Sequence, residues 1–234
     1  MQNIFENFKK YLLKEEINKE NLCLYVKEES IRAGSSTHFI LYNPSASDDP
    51  SDFLNSDSLI DKGIVLSMVQ TRNISDMDGP CYGAREVGAS VSSDAGRGQG
   101  LGFLNYKIAI VWEDSPITGD RTGTRPLAQK VYDKLPAKSK EFDDLDKPKT
   151  PPKEDDCTLG YKTVNKAYWI DDSVRAEIKT LTEKLLRNND NFMYECREKT
   201  GYEQSYIKSK LYHASLELFS QQYEKTRDIT WNYY

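Results

Sequence analysis

The chain has 234 residues, 38% of them hydrophobic, and its 32 Lys and Arg against 37 Asp and Glu give a net charge of −5 at pH 7. This composition predicts a globular protein with a core, and the interleaved charges leave no basic stripe for nucleic acid or an anionic membrane. No run approaches the roughly 18 apolar residues that cross a bilayer, and no signal-peptide pattern is present, so we expect a cytoplasmic protein without a membrane partner.

The first part of the chain is predicted to form one helix and three strands. Apolar residues at helical spacing predict an amphipathic helix over residues 4–15. β-Branched and aromatic residues predict strands over 22–26, 38–42 and 64–70. Between the second and third strands, the Ser-, Asp- and Pro-rich segment 45–61 is predicted to be a loop.

The next segment carries a glycine-rich turn between a predicted strand and a predicted helix. The turn reads RGQGLG over residues 97–102, after a strand at 86–93 and before a helix at 103–112. Glycines let the backbone approach a bulky anion, and the free N–H groups of a helix N-terminus hold phosphate oxygens. The pattern therefore predicts a site for a pyrophosphate-bearing cofactor. Its spacing fits neither the dinucleotide fingerprint G-x-G-x-x-G nor a P-loop.

A short strand and a second helix are predicted after this unit, over residues 116–118 and 126–135. Ala128 and Tyr132 stand four residues apart in that helix, which places them one turn apart on the same face.

The last hundred residues change in character. Residues 136–156 are rich in Lys, Asp, Glu and Pro and predict a mobile polar linker or loop, because such a segment buries too little apolar surface to offset its ordering entropy. Residues 172–200 and 202–226 are predicted to form two long helices.

The glycine turn and the alanine–tyrosine pair resemble the GNAT acyltransferase superfamily, whose acetyl-CoA motif is Q/R-x-x-G-x-G/A between its fourth strand and the following helix. Arg97, Gly100 and Gly102 hold the defining positions. The resemblance covers roughly residues 60 to 135 and implies an α+β fold with a mixed, mostly antiparallel sheet flanked by helices. A narrower resemblance, to GNAT-like proteins of tailed bacteriophages, rests on the string CYGAREV at 81–87 and on Asp120-Arg121, and would place the protein in a host cytoplasm.

The resemblance implies three parts of the chain. Residues 1–135 would form a GNAT-like acetyl-CoA-binding core, and residues 136–156 would form the polar linker. Residues 157–234 would form a helical extension that packs on the core or on a partner.

The implied activity is transfer of an acetyl group from acetyl-CoA to an amine, either a protein lysine or a small molecule. Tyr132 would protonate the departing CoA thiolate, and Glu86 is the nearest carboxylate on the preceding strand that could serve as general base. The implied cofactor-binding residues are Val91, Arg97, Gly98, Gln99, Gly100, Leu101 and Gly102.

Other interpretations remain open at this stage. Glu86 and Tyr132 could have structural roles instead of catalytic ones. The chain could also be a catalytically silent GNAT-fold viral protein. Its C-terminal helices would then bind a host or virion partner, or a second copy of the chain. Cysteines at 23, 81, 157 and 196 are far apart and only two histidines exist, so we predict free thiols, structural histidines and no metal site.

Overall fold

The computed structural model describes residues 20–31, 34–74, 85–119, 126–135, 140–141 and 166–230. In these ranges the chain is α+β, with an open, mixed five-stranded sheet that helices cover on both faces. The predicted α+β class is confirmed. The predicted N-terminal helix, residues 81–84 of the bacteriophage-like string, Asp120-Arg121 and all but two residues of the predicted linker lie outside the described ranges.

The sheet has the strand order β1-β2-β3-β4-β5, with four antiparallel strands and a parallel fifth. Its strands are β1 (Cys23–Ile31), β2 (Gly34–Tyr42), β3 (Val65–Ile74), β4 (Arg85–Ser92) and β5 (Ile117–Thr118). All five predicted strands are present. The first three run several residues further than predicted, because backbone pairing continues where the side chains become polar. Two short strands, β6 (Lys140–Glu141) and β7 (Lys166–Ala167), form a separate pair.

The described helices are α1 (Ser56–Asp61), α2 (Leu101–Trp112), α3 (Pro126–Tyr132), α4 (Asp172–Thr200) and α5 (Gln204–Thr230). None of them is long and apolar enough to cross a bilayer. The prediction of a loop over 45–61 is wrong in part, since this segment contains α1 and most of two 3₁₀ turns at Pro44–Ala46 and Pro50–Leu54. The polar residues that predicted a loop act instead as N-caps: Asn43, Asp49 and Asn55 each accept from the backbone N–H two residues on.

The helices pack on opposite faces of the sheet. One face carries α2 and the first half of α4, which cover the side chains of Leu24, Phe39 and Val69. The other face carries α1 and α5, which cover Ile40 and Met68. The two faces therefore have separate apolar cores, with the sheet between them.

Helix α4 runs past the β1 edge from one face to the other. Its residues Ile178 and Leu185 belong to the α2-side core, whereas Met193 belongs to the α5-side core. At the crossing point Asn188 Nδ2 donates hydrogen bonds to the carbonyl oxygens of Glu20 (2.8 Å) and Leu22 (2.9 Å). The C-terminal helices thus pack on both faces of the sheet, and the amide of Asn188 fixes the start of β1.

Candidate functional site

The glycine turn joins the end of β4 to the start of α2, and its first half is tied to β3. Ser93 donates from its N–H (2.9 Å) and from Oγ (3.3 Å) to the carbonyl oxygen of Leu66. Gly96 N–H donates to Ser93 Oγ at 3.2 Å. A Cβ on Gly96 would lie 2.3 Å from Leu66 O, so only glycine fits there. The motif R-x-x-G-x-G does not include Gly96, and its structural role was not visible in the sequence.

The second half of the turn contains the two left-handed glycines. Gly98 has φ +79° and Gly100 has φ +75°, and no atom of the described residues lies within 4 Å of the place where a Cβ on Gly98 would be. A Cβ on Gly102, in the first turn of α2, would lie 3.0 Å from Ser92 Oγ. Gly98 therefore faces open space, while Gly102 packs against the last residue of β4.

The N-terminus of α2 presents free backbone donors. The N-cap residue, Gly100, has no side chain that could cap the helix, and the first backbone hydrogen bond runs from Leu104 N–H to Gly100 O at 3.0 Å. Within the described ranges, the N–H groups of Leu101, Gly102 and Phe103 have no acceptor. These donors and the positive end of the helix dipole lie at the same place, an arrangement that binds anions.

The other turn residues have distinct positions. Arg97 and Asp94 form an exposed ion pair, Nη1 to Oδ1 2.8 Å, with 61% and 87% of their side chains accessible. Gln99 is half-buried and its N–H donates to Gly96 O at 3.4 Å. The side chain of Leu101 is buried in the α2-side core, so only its backbone can contact a ligand.

Beside the turn, β4 and β5 separate after two residue pairs. Arg85 pairs with Ile117 and Glu86 with Thr118, and from Val87 to Ser92 no described strand pairs with this side of β4. We call this unpaired backbone the open edge of β4. Gln222 of α5 donates to Ser92 O at 2.7 Å, at the turn end of this edge. Val91 lies in this segment of β4, with its backbone groups toward Met68 of β3 and its side chain buried in the α5-side core.

Tyr132 lies between α2 and β5 and is only 3% exposed. Its hydroxyl donates to Thr118 O at 3.3 Å, and its ring stacks on Tyr168 with centroids 4.6 Å apart. Tyr106 meets the same ring edge-on at 5.3 Å and donates from its own hydroxyl to Ser90 Oγ at 2.9 Å. Two tyrosines therefore connect β5 to the open edge of β4. Tyr106 was not among the predicted site residues, because in the sequence it is one of several apolar and aromatic residues of a helix, which are typical of core packing.

Glu86 is 4% exposed and forms an ion pair with Arg72, Nη2 to Oε1 2.6 Å. Its neighbour Arg85 reaches Glu113 at the end of α2, Nε to Oε2 3.3 Å. Because adjacent strand residues point to opposite faces, Glu86 points to the face that carries α5. Tyr132 belongs to the α2-side core. The structure thus places the two predicted catalytic residues on different faces of the sheet.

No family model, curated protein or solved structure matches this chain. In the described part of the chain, no three His, Cys, Asp or Glu side chains come together as a metal-binding group.

A buried polar cluster around His38 lies on the α5 side of the sheet, away from the turn. His38 Nε2 lies 3.3 Å from both Glu29 Oε2 and Ser36 Oγ, and its Nδ1 is buried without a hydrogen-bond partner. A catalytic serine triad needs the hydroxyl and the carboxylate on different ring nitrogens, so this arrangement is not a triad. Burial lowers the pKa of His38, which keeps the ring neutral.

Proposed function

We propose that the chain is an acyl-CoA-dependent N-acyltransferase with a GNAT-like fold. The observation that carries this proposal is the unit β4–turn–α2–β5, in which left-handed Gly98 and Gly100 precede an uncapped helix N-terminus. The free N–H groups of Leu101, Gly102 and Phe103 suit a pyrophosphate, and the open space beside Gly98 leaves room for it.

The open edge of β4 supports the same proposal. Unpaired backbone N–H and C=O groups of an edge strand bind an extended chain that carries amide groups, as in strand addition. The pantetheine arm of acetyl-CoA is such a chain. Ser90 and Ser92, on either side of Val91, would offer these backbone groups, and the arm would displace the Gln222 amide from Ser92 O.

Acetyl-CoA would supply the acyl group: the thioester C–S bond breaks as the amine nitrogen forms a C–N bond to the carbonyl carbon. Tyr132 would give its phenolic proton to the leaving sulfur, for which its hydroxyl must turn from Thr118 O. Glu86 would take the proton that the amine loses, directly or through water, for which it must leave Arg72.

A second candidate function is binding of acyl-CoA without transfer, in a viral protein that engages a host or virion partner. It is favoured by the contacts of the two predicted catalytic groups. Tyr132 is held by Thr118 O, Glu86 is held by Arg72, and the two side chains belong to different faces of the sheet.

Calorimetry with two matched glycine variants tests the cofactor site. Gly98 and Gly201 both have left-handed φ, +79° and +74°, and both have open space where a Cβ would lie, but Gly201 lies at the C-terminus of α4. Gly98→Asp should weaken acetyl-CoA binding at least tenfold, since a carboxylate enters the phosphate site, whereas Gly201→Asp should bind as the wild type does.

The same experiment discriminates the two candidates. S-Acetylpantetheine, which lacks the pyrophosphate, should bind weakly and lose nothing further in Gly98→Asp. Equal affinity of both variants for acetyl-CoA, or no binding by the wild type, would reject the cofactor site. Tight binding without release of free CoA thiol across a panel of amines would favour the silent binder.

A further inference from the structure

A cavity of about 390 Å³ opens at the edge of the sheet formed by β1. Three segments line it: the start of β1, the two 3₁₀ turns, and the second half of α4. Strand β1 is three strands away from β4, a distance of roughly 14 Å at the usual strand spacing. The cavity is therefore separate from the glycine turn and from the open edge of β4, and its volume is in the range of small-molecule sites.

The floor of the cavity is apolar. The rings of Phe53 and Phe192 lie at its base with centroids 4.6 Å apart. Two buried thiols, Cys23 and Cys196, complete the floor. Burial raises the pKa of both thiols, that of Cys23 to about 12, so they remain neutral and do not attract a cation or act as nucleophiles near pH 7.

The amide of Asn188 offers the cavity an acceptor and no donor. Both amide hydrogens of Asn188 are donated to the backbone oxygens of Glu20 and Leu22, so only its Oδ1 is left for a ligand. A ligand group that satisfies this oxygen must itself be a donor.

The charges at the rim of the cavity also favour a hydrogen-bond donor, in this case a positively charged one. The carboxylates of Asp48 and Glu195 are exposed at the rim, and no described side chain forms a salt bridge with either. Among the described lining residues, Lys199 is the single cation. The rim is thus net negative, which disfavours anions and favours a positively charged ligand.

We propose that this cavity binds a small primary amine with an apolar body. Its ammonium group donates to the rim carboxylates of Asp48 and Glu195, and its body lies against Phe53 and Phe192. Aromatic faces beside a cation add to the attraction. Because the cavity lies at the edge opposite β5, this amine is not the acyl acceptor, and the proposal does not depend on the function proposed above.

Binding of three probes that share one shape tests the charge requirement. Phenethylammonium, 2-phenylethanol and 3-phenylpropanoate carry the same ring on a cation, a neutral group and an anion. Titration followed by NMR of the full chain should give the ammonium at least a tenfold higher affinity than the alcohol, and no binding of the carboxylate. Similar affinities for all three would overturn the proposal, as would no binding of the ammonium.

Two variants on α4 locate the site. Glu195→Gln removes a rim carboxylate and should weaken phenethylammonium binding at least fivefold, while Glu198→Gln, an exposed residue outside the lining, should leave it unchanged. Equal affinities of the two variants would show that the amine binds elsewhere. Glu195→Gln and Glu198→Gln should keep wild-type affinity for acetyl-CoA, and Gly98→Asp should keep wild-type affinity for the amine. The two proposals can therefore fail independently of each other.

Discussion

Gly96 lies directly against Leu66, so closely that a Cβ on Gly96 would be 2.3 Å from the carbonyl oxygen of Leu66 and 3.0 Å from its carbonyl carbon. That oxygen also accepts the hydrogen bonds of Ser93. The glycines of the turn therefore serve different purposes. Gly96 lets the turn pack on β3, and Gly98 supplies a left-handed conformation in open space.

This difference predicts unequal effects of two alanine substitutions on the free energy of unfolding. Gly96→Ala should cost about 3 kcal/mol, because its methyl group meets backbone that cannot move without breaking β3. Gly98→Ala should cost about 1–2 kcal/mol, the usual cost of a left-handed alanine. Urea denaturation measures both. Equal losses would contradict the assignment of Gly96 to packing.

The ion pair between Asp94 and Arg97 predicts that the turn restrains its own binding of anions. Asp94→Asn should free Arg97 for a phosphate and raise acetyl-CoA affinity about threefold, since an exposed pair of this kind contributes up to about 1 kcal/mol. Glu183→Gln on α4, also exposed, changes the net charge equally and should leave the affinity unchanged. Calorimetry at low and high salt checks this, and a rise of the same size in both variants would indicate a long-range effect of net charge.

Tyr132→Phe separates binding from chemistry in the proposed transfer. The phenyl ring keeps its stacking on Tyr168, so acetyl-CoA affinity should stay near that of the wild type. Turnover should fall by roughly 10² to 10⁴, the usual loss when a general acid is removed. The readout is release of CoA thiol, with Tyr206→Phe on the exposed surface of α5 as the control. A turnover number equal to that of the wild type would remove Tyr132 from the mechanism.

The predictable parts of this structure are those encoded by local patterns. β-Branched and aromatic residues predicted the strands, and the glycine run predicted the turn that starts α2 within two residues. The three N-caps in the segment 43–55 were not predicted, since Asn and Asp favour both loops and caps. The path of α4 past β1 was also not predictable, because it depends on contacts between residues more than a hundred positions apart, such as Asn188 with Leu22.

A β-bulge explains why the position of Glu86 could not be read from the sequence. Simple alternation would put Val87, Ala89 and Val91 on one face. The pairing of β3 with β4 skips Gly88, so Val87 belongs to the α2-side core while Ala89 and Val91 belong to the α5-side core. Gly88 also leaves space for Arg72, whose Nε would lie 3.0 Å from a Cβ at that position.

The polar cluster around His38 predicts a pH-dependent stability with a defined sign. Glu29 and Lys27 are the charged groups that influence the ring, and burial outweighs the carboxylate, so the pKa of His38 is lowered in the folded chain. Unfolded histidine titrates near pH 6.5. Above that pH neither state holds the proton and the full stability is present. As the pH falls below about 6.5 the unfolded state binds the proton first, and stability is lost until the folded pKa is passed.

Urea denaturation between pH 7.5 and 5.5 measures this effect as a slope of the unfolding free energy, at most about 1.4 kcal/mol per pH unit for one proton. Glu29 does not contribute in this interval, because its pKa is lowered from 4.5 by the hydrogen bond from Lys27. His38→Gln should reduce the slope, whatever it does to the stability at pH 7.5. His213 is exposed on α5, so His213→Gln should keep the wild-type slope. An unchanged slope in His38→Gln, or a slope lost in His213→Gln, would show that another group carries the proton.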